Sequence, residues 1–234
     1  MFLQGIFLGL IQTNDLFNLF VFLELMTVLI TILIAYKKTG PSFKAGIYYL
    51  LLNTIGAMFF LIGIIMIYYV YGTINIQYLV QNMHLHADQG LIKLAYVMML
   101  SGISVKAAFF PLFTWLPTAH GVAQTSISGL LSGLVVKIYI FAIIKILFRV
   151  IGLSIVDAIN IPQFITYFAV LGMIMGSVFA IGQKDIKRLL AYSSVAQIGY
   201  IFLGVGLGTE LGLSAGLFHV VTHALMKSLL FLSA

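Results

Sequence analysis

The chain has 234 residues, 62% of them hydrophobic and only 8% charged, against about 25% charged in a soluble domain. That much apolar surface excludes a soluble all-α core and implies a polytopic membrane protein lying in a lipid bilayer. The lack of cysteine excludes disulfides, thiol catalysis and zinc–thiolate sites, and the net charge of +6 implies no nucleic acid, because the basic residues sit mostly at the ends of apolar runs.

In chain order, one partial and about seven full transmembrane helices are predicted, at 1–13 (partial), 16–35, 46–71, 94–110, 125–148, 162–182, 189–207 and 211–233. The runs are too long for strands, and barrel strands would alternate with a polar lumen face. The first run lacks a basic leader and a small-residue cleavage site, so it reads as most of a helix whose start is missing. The last is apolar up to Ala234, so a fragment of a longer protein is expected. Lys37, Lys38 and Lys44 follow the second segment, and Lys184, Lys187 and Arg188 follow the sixth. Four crossings separate these groups, which places both on one face, read as cytoplasmic. Lys145 and Arg149 fall on the opposite face and run against that assignment.

The longest connection, Gly72 to Lys93, holds His84, His86 and Asp88. A metal site there would lack a third firm ligand and fixed geometry, so solvated surface is the favoured reading. A faint repeat appears at an offset of 170. Asp15 matches Asp185, each before a helix, and Ala45-Gly46 matches Ala215-Gly216, each opening one. An odd number of helices separates the members, so the copies would be inverted, a transporter signature.

Six ionisable groups lie inside the predicted spans: Glu24, Lys106, Lys137, His219, His223 and Lys227. A lysine near mid-membrane costs roughly 2.5–3.5 kcal/mol on insertion scales. Isolated buried carboxylates and amines tend to neutralise, whereas a Glu24–Lys106 pair would keep both charged and make each depend on the other. The competing reading is a structural ion pair joining two helices. Lys106 precedes Phe109-Phe110-Pro111, where proline predicts a broken helix or the start of a loop. Lys137 has no evident partner, but Gly129 and Gly133, with Ser128 and Ser132, predict close approach of another helix. His219, His223 and Lys227 recur at i, i+4 and i+8 and share one helical face, a stripe of roughly 12 Å suited to passing protons. A zinc site on the two histidines lacks an acid or thiol. In QKDIKRLLAYSSVAQIGY, Asp185 predicts a helix cap. Ser193, Ser194 and Gln197 read either as water-ordering groups or as helix–helix hydrogen bonds.

The stretches DLFNLFVFLELM, VKAAFFPLFTWLPTAHGVAQTSISGLLSGLVVKIYIF, DIKRLLAYSSVAQIGYI and HVVTHALMKSLLF together resemble the antiporter-like, proton-translocating subunits of respiratory complex I (chains L, M and N), membrane hydrogenases and Mrp-type Na+/H+ antiporters. DLFNLFVFLE is most similar to the D-type component of the Mrp antiporters. The resemblance implies a fold of about fourteen helices whose fourth to eighth and ninth to thirteenth form inverted repeats. This chain then runs from the fourth to the eleventh, with 1–148 the first repeat and 162–234 an incomplete second. It implies that Glu24 is the fifth-helix glutamate, Lys106 the broken seventh-helix lysine and Lys137 the eighth-helix lysine. His219, His223 and Lys227 become the eleventh-helix relay. The twelfth-helix exit residue has no counterpart here.

The expected function is proton translocation by a subunit of a multisubunit cation/proton antiporter or respiratory complex, with other membrane subunits as partners and Na+ a candidate second ion. A multi-pass subunit of a prokaryotic plasma membrane is implied. No cofactor or metal is expected, and no intrinsic redox chemistry, because haem, flavin and iron–sulfur motifs are missing. The alternative is a membrane scaffold that no longer transports.

Overall fold

The computed structural model describes residues 2–82, 90–151 and 160–234. His84, His86 and Asp88 therefore lie outside the described residues. Among those described the chain is helical, with a single isolated bridge between Asp15 and Asn75. We number the helices α1 (Phe2–Gln12), α2 (Leu16–Ile34), α3 (Gly40–Tyr71), α4 (Ile76–Asn82), α5 (Gly90–Lys106) and α6 (Trp115–Val122). A continuous helical run, residues 125–151, is α7 and contains two π turns, Leu131–Val135 and Ile146–Ile151. Then come α8 (Ile161–Ile181), α9 (Ile186–Gly206) and α10 (Glu210–Leu232).

Five of these helices are long and apolar enough to cross a bilayer: Leu16–Lys37 (α2 with its terminal 3-10 turn), α3, α8, α9 and α10. The shortfall from the predicted seven has local causes. Helix α5 stops at Lys106 after 17 residues, four short of the predicted end at 110, and α7 is divided by its π turns. The chain wears its apolar side chains outward as well as inward. On α3 the exposed residues Ile47, Leu51, Ile55, Met58, Ile62, Ile65 and Tyr69 form one stripe, and Phe164, Tyr167, Leu171, Ile174, Val178 and Ile181 do the same on α8. Continuous apolar faces of that length belong against lipid.

The helix starts follow from capping chemistry. Asp15 accepts from the Asn18 N–H at 2.8 Å, and Asp185 from the Arg188 N–H at 2.9 Å. Thr39 caps α3 through a reciprocal box with Ser42, and Thr209 caps α10 by accepting from Gly212 N at 3.0 Å. Each side-chain oxygen takes a backbone donor that the first helical turn leaves unpaired. Both pairs of caps lie 170 residues apart. So do the packing contacts of the two helix openings, with Gly46 facing the Thr31 carbonyl and Gly216 the Ile201 carbonyl.

Lys145, which ran against the charge rule, has a local task. Its ammonium donates to the carbonyls of Leu10, Ile11 and Thr13 at 3.3, 3.0 and 2.6 Å, closing the C-terminal end of α1.

Backbone contact between α3 and α5 sets the position of Lys106. A Cβ at Gly56 would meet the Gly102 carbonyl oxygen at 2.6 Å, and one at Gly102 would press on the Gly56 carbonyl and the Phe60 nitrogen. These are backbone atoms that cannot rotate away, so the small residues let the helices touch. Gly102→Ala is expected to destabilise the fold by about 1–3 kcal/mol through overpacking. Thermal unfolding of the purified protein in detergent measures this, and an unchanged midpoint would mean that α5 moves away freely.

Candidate functional site

The buried polar groups form two clusters. The first lies where α2, α3, α5 and α7 meet. Lys106, the last residue of α5, is fully buried and donates from Nζ to Glu24 Oε1 and to Thr27 Oγ1, both at 2.7 Å. Glu24 and Thr27 are three apart on α2 and so share a face. Burial of the ion pair is lopsided, with 1% of the lysine side chain exposed and 26% of the glutamate. The Tyr139 ring lies 5.9 Å from the ammonium, a cation–π approach.

The helix break follows Lys106 directly. Ala108 takes a left-handed φ of 53°, and the chain runs irregularly to α6. Of the carbonyls that lose their helical partners, that of Val105 accepts the Trp115 Nε1 proton at 2.7 Å. Trp115 is fully buried and meets Tyr49 edge-on, centroids 4.9 Å apart at 72°. The tryptophan thus braces the residue before the lysine.

The second cluster joins α6, α7, α9 and α10. Lys137 donates to the Ser132 carbonyl, five residues back in the first π turn. A π turn spaces its hydrogen bonds at i→i+5 and appears often at functional sites, and here it supplies the partner that the sequence left unassigned. Lys227 donates to the Leu190 carbonyl at 3.0 Å and to Ser193 Oγ. His219 pairs with Gln197 Oε1 at 2.7 Å. The His219 and His223 rings are parallel, 6.0 Å between centroids. His223 is fully buried with both ring nitrogens unpartnered among the described residues, as are those of His120, which stacks on Phe231 at 4.3 Å. Ser132 and Ser194 hydroxyls meet at 3.3 Å across α7 and α9. The predicted close approach holds: Gly129 faces Leu232 and the Ser228 carbonyl, and Gly133 faces Ser228 and Ala224, all on α10.

Of the six ionisable residues, the structure brings Glu24 and Lys106 into direct contact. It gathers Lys137, His223 and Lys227 in the interior, with His219 half-buried at its edge. Among the described residues no direct hydrogen bond links Lys137 to Lys106, or the histidines to either lysine of the second cluster. Ser193, Ser194 and Gln197 make helix–helix hydrogen bonds, one of the two readings their sequence allows. Among the described residues no group of three or more His, Cys, Asp or Glu is placed to hold a metal. Sequence reasoning missed Thr27, Tyr49, Tyr139 and His120. Thr27 carried a signal, its i+3 spacing from Glu24. The tyrosines read as ordinary core aromatics.

A family model described as NADH:quinone oxidoreductase/Mrp antiporter, transmembrane, matches residues 13–234. NADH-quinone oxidoreductase subunit N of Desulforudis audaxviator (strain MP104C) is 37% identical over 227 residues, 97% of this chain and 45% of that protein. The putative antiporter subunit mnhD2 of Staphylococcus aureus (strain MRSA252) is 32% identical over 231 residues, 99% of this chain and 46% of its own length. A chain of the membrane-bound sulfane sulfur reductase, an archaeal respiratory membrane complex, superposes with a TM-score of 0.87 at 35% identity, covering 96% of this chain and 46% of that one. The chain thus spans about half the length of the curated relatives it matches.

Proposed function

The chain belongs to the NADH:quinone oxidoreductase/Mrp antiporter transmembrane family, and from that premise we propose that it carries part of a proton route through a multisubunit cation/proton antiporter or respiratory complex. The parent assembly sits in a prokaryotic plasma membrane, and other membrane subunits cover its flanks. Helices α5 and α7 cross the bilayer together with the five longer ones, α1 is the partial span, and the two sets of helices form inverted repeats. The recurrence of aspartate and threonine caps at a spacing of 170 supports the repeat.

The observation that carries the reading is the Glu24–Lys106 contact at 2.7 Å in an apolar interior. Charged groups in such a place are costly, and intramembrane pairs mark ion pathways. The more exposed glutamate is the side of the pair that communicates with the surroundings, and the buried lysine is the side that holds the proton. Lys137, His223, His219 and Lys227 continue the route through buried water. Redox chemistry in such complexes belongs to other subunits.

Glu24→Gln tests this in the complete parent complex reconstituted in vesicles. Proton flux, followed by a pH-sensitive dye, is expected to fall at least tenfold, since proton transfer by a positioned side chain contributes about 10²–10⁴ in rate. Undiminished flux would remove the pair from the mechanism. One observation favours the second reading, a scaffold that only holds helices together: among the described residues Glu24–Lys106 is the sole salt bridge, and Lys137, Lys227 and His219 bond to carbonyls, a hydroxyl and an amide. A scaffold would lose assembly in the variant while any residual complex kept its rate.

A further inference from the structure

A groove of about 850 Å³ lies where the end of α1, the helix α4 and the C-terminal part of α7 come together. Phe141, Ile144 and Phe148 recur on α7 at i, i+3 and i+7 and give the groove an apolar wall. Lys145 and Arg149, four apart on the same helix, line it as well. Gln77 and Gln81, four apart on α4, add amide groups, and among the described residues no acidic side chain lines the groove. Like charges at this helical spacing repel. The order of crossings also puts both cations on the membrane face away from Lys37 and Lys187, where basic residues are disfavoured.

The carbonyls of α1 account for Lys145 and leave Arg149 unexplained. All three ammonium protons of Lys145 go to Leu10, Ile11 and Thr13, so its charge remains in the groove while its donors are used. Arg149 is exposed, and its N–H groups make no hydrogen bond or ion pair among the described residues. A guanidinium with free donors, backed by a second positive charge, matches the oxygens of a phosphate. The apolar wall extends that match. From residue 149 back to 141 it runs roughly 12 Å along the helix at 1.5 Å per residue. A free anion would leave that wall bare, and an acyl chain would cover it. The lipid-facing stripes of α3 and α8 carry no charged residue, so contact with bulk lipid is not what the two cations serve.

We propose that the groove seats an anionic phospholipid, with its phosphate on Arg149 and the start of an acyl chain against Phe148, Ile144 and Phe141. Basic pockets between membrane helices bind such headgroups. The phosphate offsets the repulsion between Lys145 and Arg149. A zwitterionic lipid brings its own cation into the same field and is bound less well. The seat uses none of Glu24, Lys106 or the residues of the second cluster, so it goes beyond the transport reading and stands apart from it.

The test places the complete complex in lipid nanodiscs containing phosphatidylglycerol with a photoreactive group on its acyl chain. Mass spectrometry then locates the label. It is expected on residues 141–149 and 76–81. Arg149→Gln should lower labelling there about tenfold or more, the worth of one hydrogen bond to a charged group. Arg149→Lys should lower it less, because it keeps the charge and loses the fork. Unlabelled phosphatidylglycerol should displace the probe, whereas phosphatidylcholine and inorganic phosphate should not. Arg149 is exposed, so Arg149→Gln is expected to assemble, and Glu24→Gln, which tests the transport reading, should label like the wild type. Equal labelling of the wild type and Arg149→Gln would overturn the proposal and leave Arg149 merely reaching water. An equally reactive phosphatidylcholine probe would mean that the apolar wall acts alone. Displacement by inorganic phosphate would make the groove a site for free anions. The lack of label on both segments would show that protein fills it in the complex. Each of these results sinks the lipid seat, while normal flux in Glu24→Gln sinks only the proton route.

Discussion

Replacing Lys106 with methionine is expected to reduce proton flux to background, at least about a hundredfold, while leaving the protein as stable as before or more so. Methionine fills nearly the same volume as lysine and brings no charge. The lysine is fully buried, so its removal relieves the cost of keeping an ammonium away from water. The glutamate left behind is 26% exposed and can be accommodated without its partner. Removing one partner of an ion pair costs most where it leaves the other charge wholly buried, which is not the case for Glu24. The mirror experiment behaves differently. Glu24→Ala strands the fully buried ammonium and is expected to destabilise by up to about 3–5 kcal/mol. Flux measured beside thermal unfolding separates the two. A scaffold predicts that Lys106→Met keeps its rate along with its stability, and a transporter predicts that it loses only rate.

The second large effect is expected at Trp115. Trp115→Ala should destabilise by about 3–5 kcal/mol, the range for emptying a buried aromatic site. Trp115 has no exposed surface, donates to the Val105 carbonyl and packs edge-on against Tyr49. The vacated space lies under the residue that precedes Lys106 and beside Tyr49. Trp115→Phe keeps much of the ring and loses the N–H donor. It should cost about 1–2 kcal/mol, the value of one buried hydrogen bond and some lost area. Unfolding midpoints of the two variants test the order. If the alanine variant loses less than about 1 kcal/mol, Trp115 is not what holds the end of α5 in place.

Much of this arrangement was legible from the residues. Costly charges inside apolar runs pointed to Glu24, Lys106, Lys137 and Lys227, and helical spacing placed His219, His223 and Lys227 on one face. Asp15 and Asp185 announced two helix starts, and the glycines near Lys137 announced a neighbour. What was hidden depends on distance in space. The proline at 111 gave the break but not its start, because the chain leaves the helix through Ala108, an alanine in a left-handed conformation that no sequence rule predicts. Tyr49 and Tyr139 meet only because α3 and α7 do, and each alone reads as core. Lys145 broke the charge rule because three carbonyls of α1 compete for it with the membrane's preference.

The wide turn at Leu131–Val135 has an evolutionary consequence. It holds a surplus residue relative to a regular helix of the same rise. Losing that residue would leave hydropathy and composition almost untouched, yet would swing everything downstream by about 100°. Lys137 would then turn away from the interior and Tyr139 away from its phenol partner. Aligned descendants should therefore keep the spacing between Gly133 and Lys137 free of gaps, while length variation gathers in the connections.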